Sequence, residues 1–162
     1  MLFRSYTPGS SRSDRFRITG AQDGLKIYGG WSGTESFTGP ADVDAQLESR
    51  DLAANETILS GDIDANDGPF NPTTDSDGIS GTPNGSDHIV GENSYTVVYI
   101  DGRSSAEGGA GPITRGTVLD GLTVKGALAN VNSQQAFGGG IRCQADGAEC
   151  SPTLSRLRVV GN

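Results

Sequence analysis

The sequence predicts an all-β chain of short strands wound into an incomplete solenoid with long loops. Three observations lead there. With 25 glycines and 7 prolines among 162 residues, about one position in five interrupts regular backbone. Helical periods are broken almost everywhere by Gly or β-branched residues. Finally, short apolar strands recur in a repeating order, and self-similarity at 20–50 residues is the mark of stacked repeats.

The strands can be read in chain order. They are 15–19 (RFRIT), 25–30 (LKIYGG), 57–61 (TILSG), 95–102 (YTVVYIDG), 117–121 (TVLDG), 122–126 (LTVKG), 138–143 (GGGIRC), 152–156 (PTLSR) and 157–162 (LRVVGN). Each is bounded by Gly, Asp, Asn or Ser, the residues that turn a chain. The one helical window is 41–50, ADVDAQLESR. Thr57-Ile58-Leu59-Ser60-Gly61 aligns with Thr117-Val118-Leu119-Asp120-Gly121, and Pro152–Arg156 follows as a looser copy. Leu122–Gly126 matches Leu157–Gly161 at a constant offset of 35. Stacking such units is expected to place Leu59, Leu119 and Leu154 on one wall. Leu122 with Leu157, and Val124 with Val159, form another. Gly29, Gly61, Gly102, Gly121, Gly126 and Gly161 close the strands, where left-handed dihedrals are expected. One domain is expected over 1–162: a lead-in segment (1–24), a first rung (25–61), an acidic loop (62–94) and two further rungs (95–162).

The net charge is −8, but it is uneven. Residues 35–107 hold fifteen acidic and two basic groups, whereas 1–34 and 108–162 are each slightly basic. So acidic a middle third argues against a nucleic-acid partner, which needs clustered cations. No stretch approaches the ~18 apolar residues of a membrane span. Cys143 and Cys150 are the only cysteines and lack the companions of a zinc site. A local disulfide, implying an oxidising compartment, is one reading; a pair of free thiols is the other. The first sixteen residues show no export-signal pattern, and both ends read as cut, so a fragment of a longer protein is expected. Its uncapped parallel edge is expected to make the isolated chain marginal or prone to aggregate.

These features resemble the right-handed parallel β-helix proteins of the pectate-lyase-like (pectin lyase-like) superfamily. The closer likeness is to the bacterial cell-surface branch related to polymorphic outer-membrane proteins, over about residues 6–162. Gly138-Gly139-Gly140-Ile141 resembles that branch's Gly-Gly-(small)-Ile motif. Val159-Val160-Gly161-Asn162 resembles its Phe-x-x-Asn motif, with Val in place of Phe. Ile27–Glu35 is similar to the family's opening strand and turn, and Asp51–Asp62 to its first full rung. The resemblance implies a right-handed parallel β-helix and says little of activity, because such folds serve as adhesins, secreted passengers, phage spikes and polysaccharide enzymes alike.

Asp62, Asp64, Asn66, Asp67, Asp75 and Asp77 are candidate calcium ligands, since alternate carboxylates on a tight turn can converge on a hard cation. The EF-hand pattern fails there: Asp67 occupies the glycine position. The competing reading is a polar loop whose Asp and Asn serve turn chemistry. No other cofactor is called for. Polysaccharide lyases of the resembled family pair such a cluster with a Lys or Arg base. Lys26, Lys125, Arg142, Arg156 and Arg158 lie on strands, with nothing in the sequence aiming one at the loop. His88, the single histidine, reads as a loop residue. Trp31 reads as a cover for an open apolar end or, less simply, as a platform for a sugar ring. No catalytic set is assigned. The expected function is a non-catalytic secreted or cell-surface module at the outer membrane or beyond: a stalk, an adhesin or a scaffold for a carbohydrate or host-surface ligand. The alternative is the leading part of a polysaccharide-active lyase or hydrolase whose site lies on further coils.

Overall fold

In a computed structural model, residues 4–68, 89–130 and 138–162 are described. They form ten short strands: β1 (Arg4–Tyr6), β2 (Phe16–Thr19), β3 (Lys26–Tyr28), β4 (Thr57–Ser60), β5 (Val98–Asp101), β6 (Val118–Asp120), β7 (Leu122–Lys125), β8 (Ile141–Gln144), β9 (Thr153–Ser155) and β10 (Arg158–Val160). Nine coincide with the strands read from the sequence; β1 was not foreseen, because RSY carries no apolar alternation. All ladders between these strands are parallel. Sheet I has the order β1-β4-β7-β10, sheet II β2-β5-β8 and sheet III β3-β6-β9. The chain therefore visits the three sheets in turn, adding one strand to each.

This corrects the expected fold class. The strands are partitioned into three separate parallel sheets. Among the described residues helix accounts for 12% and strand for 30%, an α/β-like mixed arrangement and not a single all-β right-handed parallel β-helix solenoid. Local physics explains the helix. Pro40 opens α1 (Pro40–Gln46), and the Asp42 carboxylate accepts the Thr38 N–H (2.8 Å) just before it. A 3₁₀ turn, Leu47–Ser49, continues it. Further 3₁₀ turns span Gly20–Gln22 and Ser105–Glu107.

The predicted leucine stack is also corrected. Leu119 does pair with Leu154, and Ile27 completes that row in sheet III. Leu59 belongs to sheet I, where it pairs with Tyr6 and Val124. The likeness of TILSG to TVLDG is thus one of composition. Pairing joins β4 to β7, and sheet I continues from Val124 to Val159 as the offset of 35 requires. Sheet II contributes the rows Phe16–Val98–Ile141 and Ile18–Ile100. Ile100, Ile113, Leu119 and Val124 are wholly buried. Leu154 and Val159, the last members of their rows, are about half exposed.

The strand-closing glycines divide into two kinds. Gly121, Gly126 and Gly161 have the expected positive φ. Gly29, Gly61 and Gly102 do not; a Cβ at Gly61 would instead run into the Gly126 carbonyl on the next strand end. Close backbone approach, and not left-handed torsion, demands glycine there.

Truncating a row at its middle should cost more than at its edge. Leu119→Ala is expected to lower stability by about 3 kcal/mol and Leu154→Ala by less than about 1.5 kcal/mol, read from urea unfolding midpoints.

Candidate functional site

Outward residues of the sheets alternate with the buried rows, so the chemistry of the surface is set by the same register. On sheet I, Ile58, Thr123 and Arg158 form one outward row, and Lys125 with Val160 lies two residues on. These side chains floor a cleft of about 130 Å³, walled by Glu56 on one side and by Asp67 and Gly68 on the other. Thr123 donates its hydroxyl to Glu56 Oε1 (2.6 Å), and Arg158 Nη1 is 3.5 Å from the same oxygen. Lys125 carries no ion pair among the described residues. The sequence left open whether any strand cation faces the acidic loop; Lys125 and Arg158 share a cleft with Asp67 of that loop. Glu56 and Thr123 were not singled out. The alternation Leu122-Thr123-Val124-Lys125 was the signal that could have placed Thr123 and Lys125 on one face.

The remaining strand cations do other work. Lys26 is exposed on β3. Arg142 lies 5.4 Å from the Tyr99 ring centroid. Arg156 is committed to Asp120, with its Nη2 3.0 Å away and its Nε donating to Oδ2 at 3.1 Å.

Four candidate calcium ligands, Asp62, Asp64, Asn66 and Asp67, fall within the described residues; the three carboxylates accept hydrogen bonds that shape the loop, and Asn66 donates to two of them. Asp62 accepts the Asn66 and Asp67 N–H groups (3.1 and 3.2 Å). Asp64 accepts the Glu92 N–H and the Asn66 side-chain amide (both 3.1 Å). Asp67 accepts the Val90 N–H (2.7 Å) and the Asn93 amide (2.9 Å). The loop is thus stitched to the segment entering β5, an arrangement that turn chemistry accounts for. Among the described residues no group of three or more acidic, His or Cys side chains is arranged to hold a metal. Asp75, Asp77 and His88 lie outside the described residues.

Two buried carboxylates organise the outward faces. Asp120 on β6 is bracketed by Arg50 and Arg156. Arg50 is itself buried and also donates to the Gly29 carbonyl (2.7 Å) and the Leu47 carbonyl (2.8 Å). It thereby fastens the helical segment to sheet III. Burial alone would raise the Asp120 pKa, but hydrogen bonds from Arg50 and Arg156 outweigh it and hold the group below the ordinary carboxylate range. Asp101 on β5 is fully buried between Arg103 and Arg17, whose nitrogens lie 2.8 and 2.6 Å away. The Arg103 hydrogen bond is the chief cause of its strongly lowered pKa.

Cys143 and Cys150 form a disulfide that closes the loop between β8 and β9. Trp31 makes an edge contact with Phe37 (4.9 Å between centroids) and lies under the Arg50 guanidinium at 5.2 Å, a packing role. The following turn is closed by Glu35, which accepts the Ser32 hydroxyl and the Ser32 and Gly33 N–H groups, all at 2.7 Å. The Ser32 hydroxyl chiefly holds its pKa down to about 2. Asn162, the end of the VVGN motif, accepts the Ala127 N–H (3.1 Å) and donates to the Val124 and Val160 carbonyls. No helix among the described residues is long and apolar enough to cross a membrane.

No family model, curated protein or solved structure matches this chain. Its chemistry is therefore read from its own residues.

Both bracketed carboxylates have folded pKa values below their unfolded ones. Their stabilisation is present above the unfolded pKa and is lost as pH falls through the folded one. Urea midpoints should be level from pH 7 to about 5 and fall steeply below about pH 4. Asp101→Asn, which leaves Arg17 and Arg103 without their charge partner, should cost about 3 kcal/mol at pH 7 and flatten that acid limb. Thiol titration of unreduced, unfolded protein should read near zero, and the Cys143→Ser/Cys150→Ser double variant should be about 2 kcal/mol less stable, as closure of so short a loop implies.

Proposed function

We propose that this chain is a non-catalytic, secreted or cell-surface module whose strands form a scaffold and whose loops and outward faces present a ligand surface. The observation that carries this reading is the commitment of the buried ionisable groups to one another. Asp101 and Asp120 are each held between two arginines, with pKa values far from the working range of an acid or base at neutral pH. The disulfide supports an oxidising compartment, consistent with export. Engaged loop carboxylates support a structural role for Asp62, Asp64 and Asp67.

A second reading, a polysaccharide-active lyase or hydrolase, is favoured by one observation: Lys125, Arg158, Glu56 and Asp67 line a common cleft. In that reading Lys125 would act as the base and calcium would be recruited near Asp67.

The two readings separate in one assay. The protein is incubated with pectin, polygalacturonate and alginate, with and without calcium, and new chain ends are measured. No cleavage is expected. Cleavage that disappears in Lys125→Gln or Asp67→Asn would replace the first reading by the second.

A further inference from the structure

Strands β1, β2 and β3 are outer members of sheets I, II and III, and no described strand pairs with their free edges. The three edges surround a recess of about 460 Å³ at the opening of the core, lined by Tyr6, Phe16, Ile18, Leu25, Ile27 and Tyr28 among others. These are the apolar rows at their uncovered end: Tyr6 heads the row of Leu59, Ile18 that of Ile100 and Ile27 that of Leu119. Tyr6 is 48% exposed and Leu25 37%. Phe37, 41% exposed, lines a second recess that shares Tyr28 and includes Lys26 and Asp44. Three of the six exposed large apolar side chains among the described residues thus stand at this end.

The same end is basic. Residues 4–28 hold five basic and two acidic groups, in a chain of net charge −8. Both carboxylates are turned to nearby donors. Asp14 accepts the Ser10 and Ser11 N–H groups (both 3.0 Å), and Asp23 accepts the Thr114 N–H (2.8 Å) and the Thr117 hydroxyl (3.0 Å). Arg12 is anchored on the Asn93 and Leu128 carbonyls, and Arg17 on Asp101. Arg4 on β1 and Lys26 on β3 are exposed and carry no ion pair among the described residues. Register makes Arg4 informative, because it stands in the inward row of Thr57 and Leu122. A second copy stacked head to tail in that register would set the Arg4 charge on Leu157. An inward charge on an edge strand works against such pairing.

An apolar recess with a basic rim instead suits a surface that is apolar beneath a negative layer. We propose that this end of the molecule docks on the headgroup layer of an anionic lipid membrane, with Arg4 and Lys26 on lipid phosphates and Tyr6, Leu25 and Phe37 reaching the acyl boundary. The contact is shallow. The free N–H and C=O groups of β1, β2 and β3 need hydrogen-bond partners, so the strand edges stay at headgroup level, where water and phosphate oxygens supply them. Tyrosine suits that depth, having an apolar ring and a polar tip. The inference stands on edge strands and charge and is independent of the secreted, non-catalytic reading.

Flotation of the whole chain with lipid vesicles tests it. Vesicles of equal parts phosphatidylcholine and phosphatidylglycerol should carry the protein at low salt and release it as salt is raised. Pure phosphatidylcholine vesicles should carry little. Arg4→Gln and Lys26→Gln, at exposed positions outside the core, should each weaken partitioning about fivefold. Tyr6→Ser and Leu25→Ser should each weaken it by a similar or larger factor. Val159→Ser, equally exposed at the opposite edge of sheet I, should leave it unchanged. Absence of binding to the anionic vesicles, equal binding to both compositions, or wild-type partitioning in both charge variants would overturn the proposal. Absence of vesicle binding together with concentration-dependent self-association that Tyr6→Ser and Leu25→Ser abolish would assign this end to a second copy instead.

Discussion

A strand of three or four residues cannot bury a core by itself, and every strand among the described residues is that short. What makes the fold possible is parallel register between strands far apart in sequence. Ile27, Leu119 and Leu154 make one row, Tyr6, Leu59, Val124 and Val159 a second, and Phe16, Val98 and Ile141 a third. Each row buries its middle members by covering them on both sides. Burial is therefore greatest in β5, β6 and β7 and falls away towards the exposed Leu154 and Val159. Long-range pairing of this kind carries a large ordering cost, which apolar contact along the rows must offset.

The same register decides where charge can go. Once alternate residues are turned inward, the intervening ones form columns on the outside, and two of those columns carry a carboxylate that the neighbouring strands bury. Asp101 and Asp120 are tolerable there because arginines reach them from other parts of the chain. Arg50 is the clearest case: it comes from the helical insertion and joins that insertion to β6 through Asp120 and to the end of β3 through the Gly29 carbonyl. The helix is thereby part of the fold and not a decoration on it. Tyr99 follows the same rule: alternation within β2 and β8 turns Arg17 and Arg142 to the side of the sheet on which its ring lies.

The acidic loop shows how composition can point two ways. Closely spaced Asp and Asn residues suit a hard cation as well as a turn, although the EF-hand pattern itself fails here. Asp62, Asp64 and Asp67 direct their oxygens at backbone N–H groups and at the Asn66 and Asn93 amides, the bonds that shape the loop. Conversely, the cleft formed by Glu56, Thr123, Lys125 and Arg158 has no local pattern. Glu56 precedes β4, whereas Thr123 and Lys125 belong to β7, so only pairing of β4 with β7 brings them together.

From sequence alone, nine of the ten described strands, the helical window, the offset of 35 and the disulfide pair were legible. Each depends on short-range rules: alternation, breaker residues, a simple repeat, and two cysteines with no other partner. The partition into three sheets, the placement of Leu59 beside Val124 and the choice of arginines for Asp101 and Asp120 were decided by the tertiary structure. TILSG resembles TVLDG residue for residue, yet β4 pairs with LTVK. The physical reason is that parallel pairing is selected by which rows can be buried together across the whole chain, and no five-residue segment carries that information.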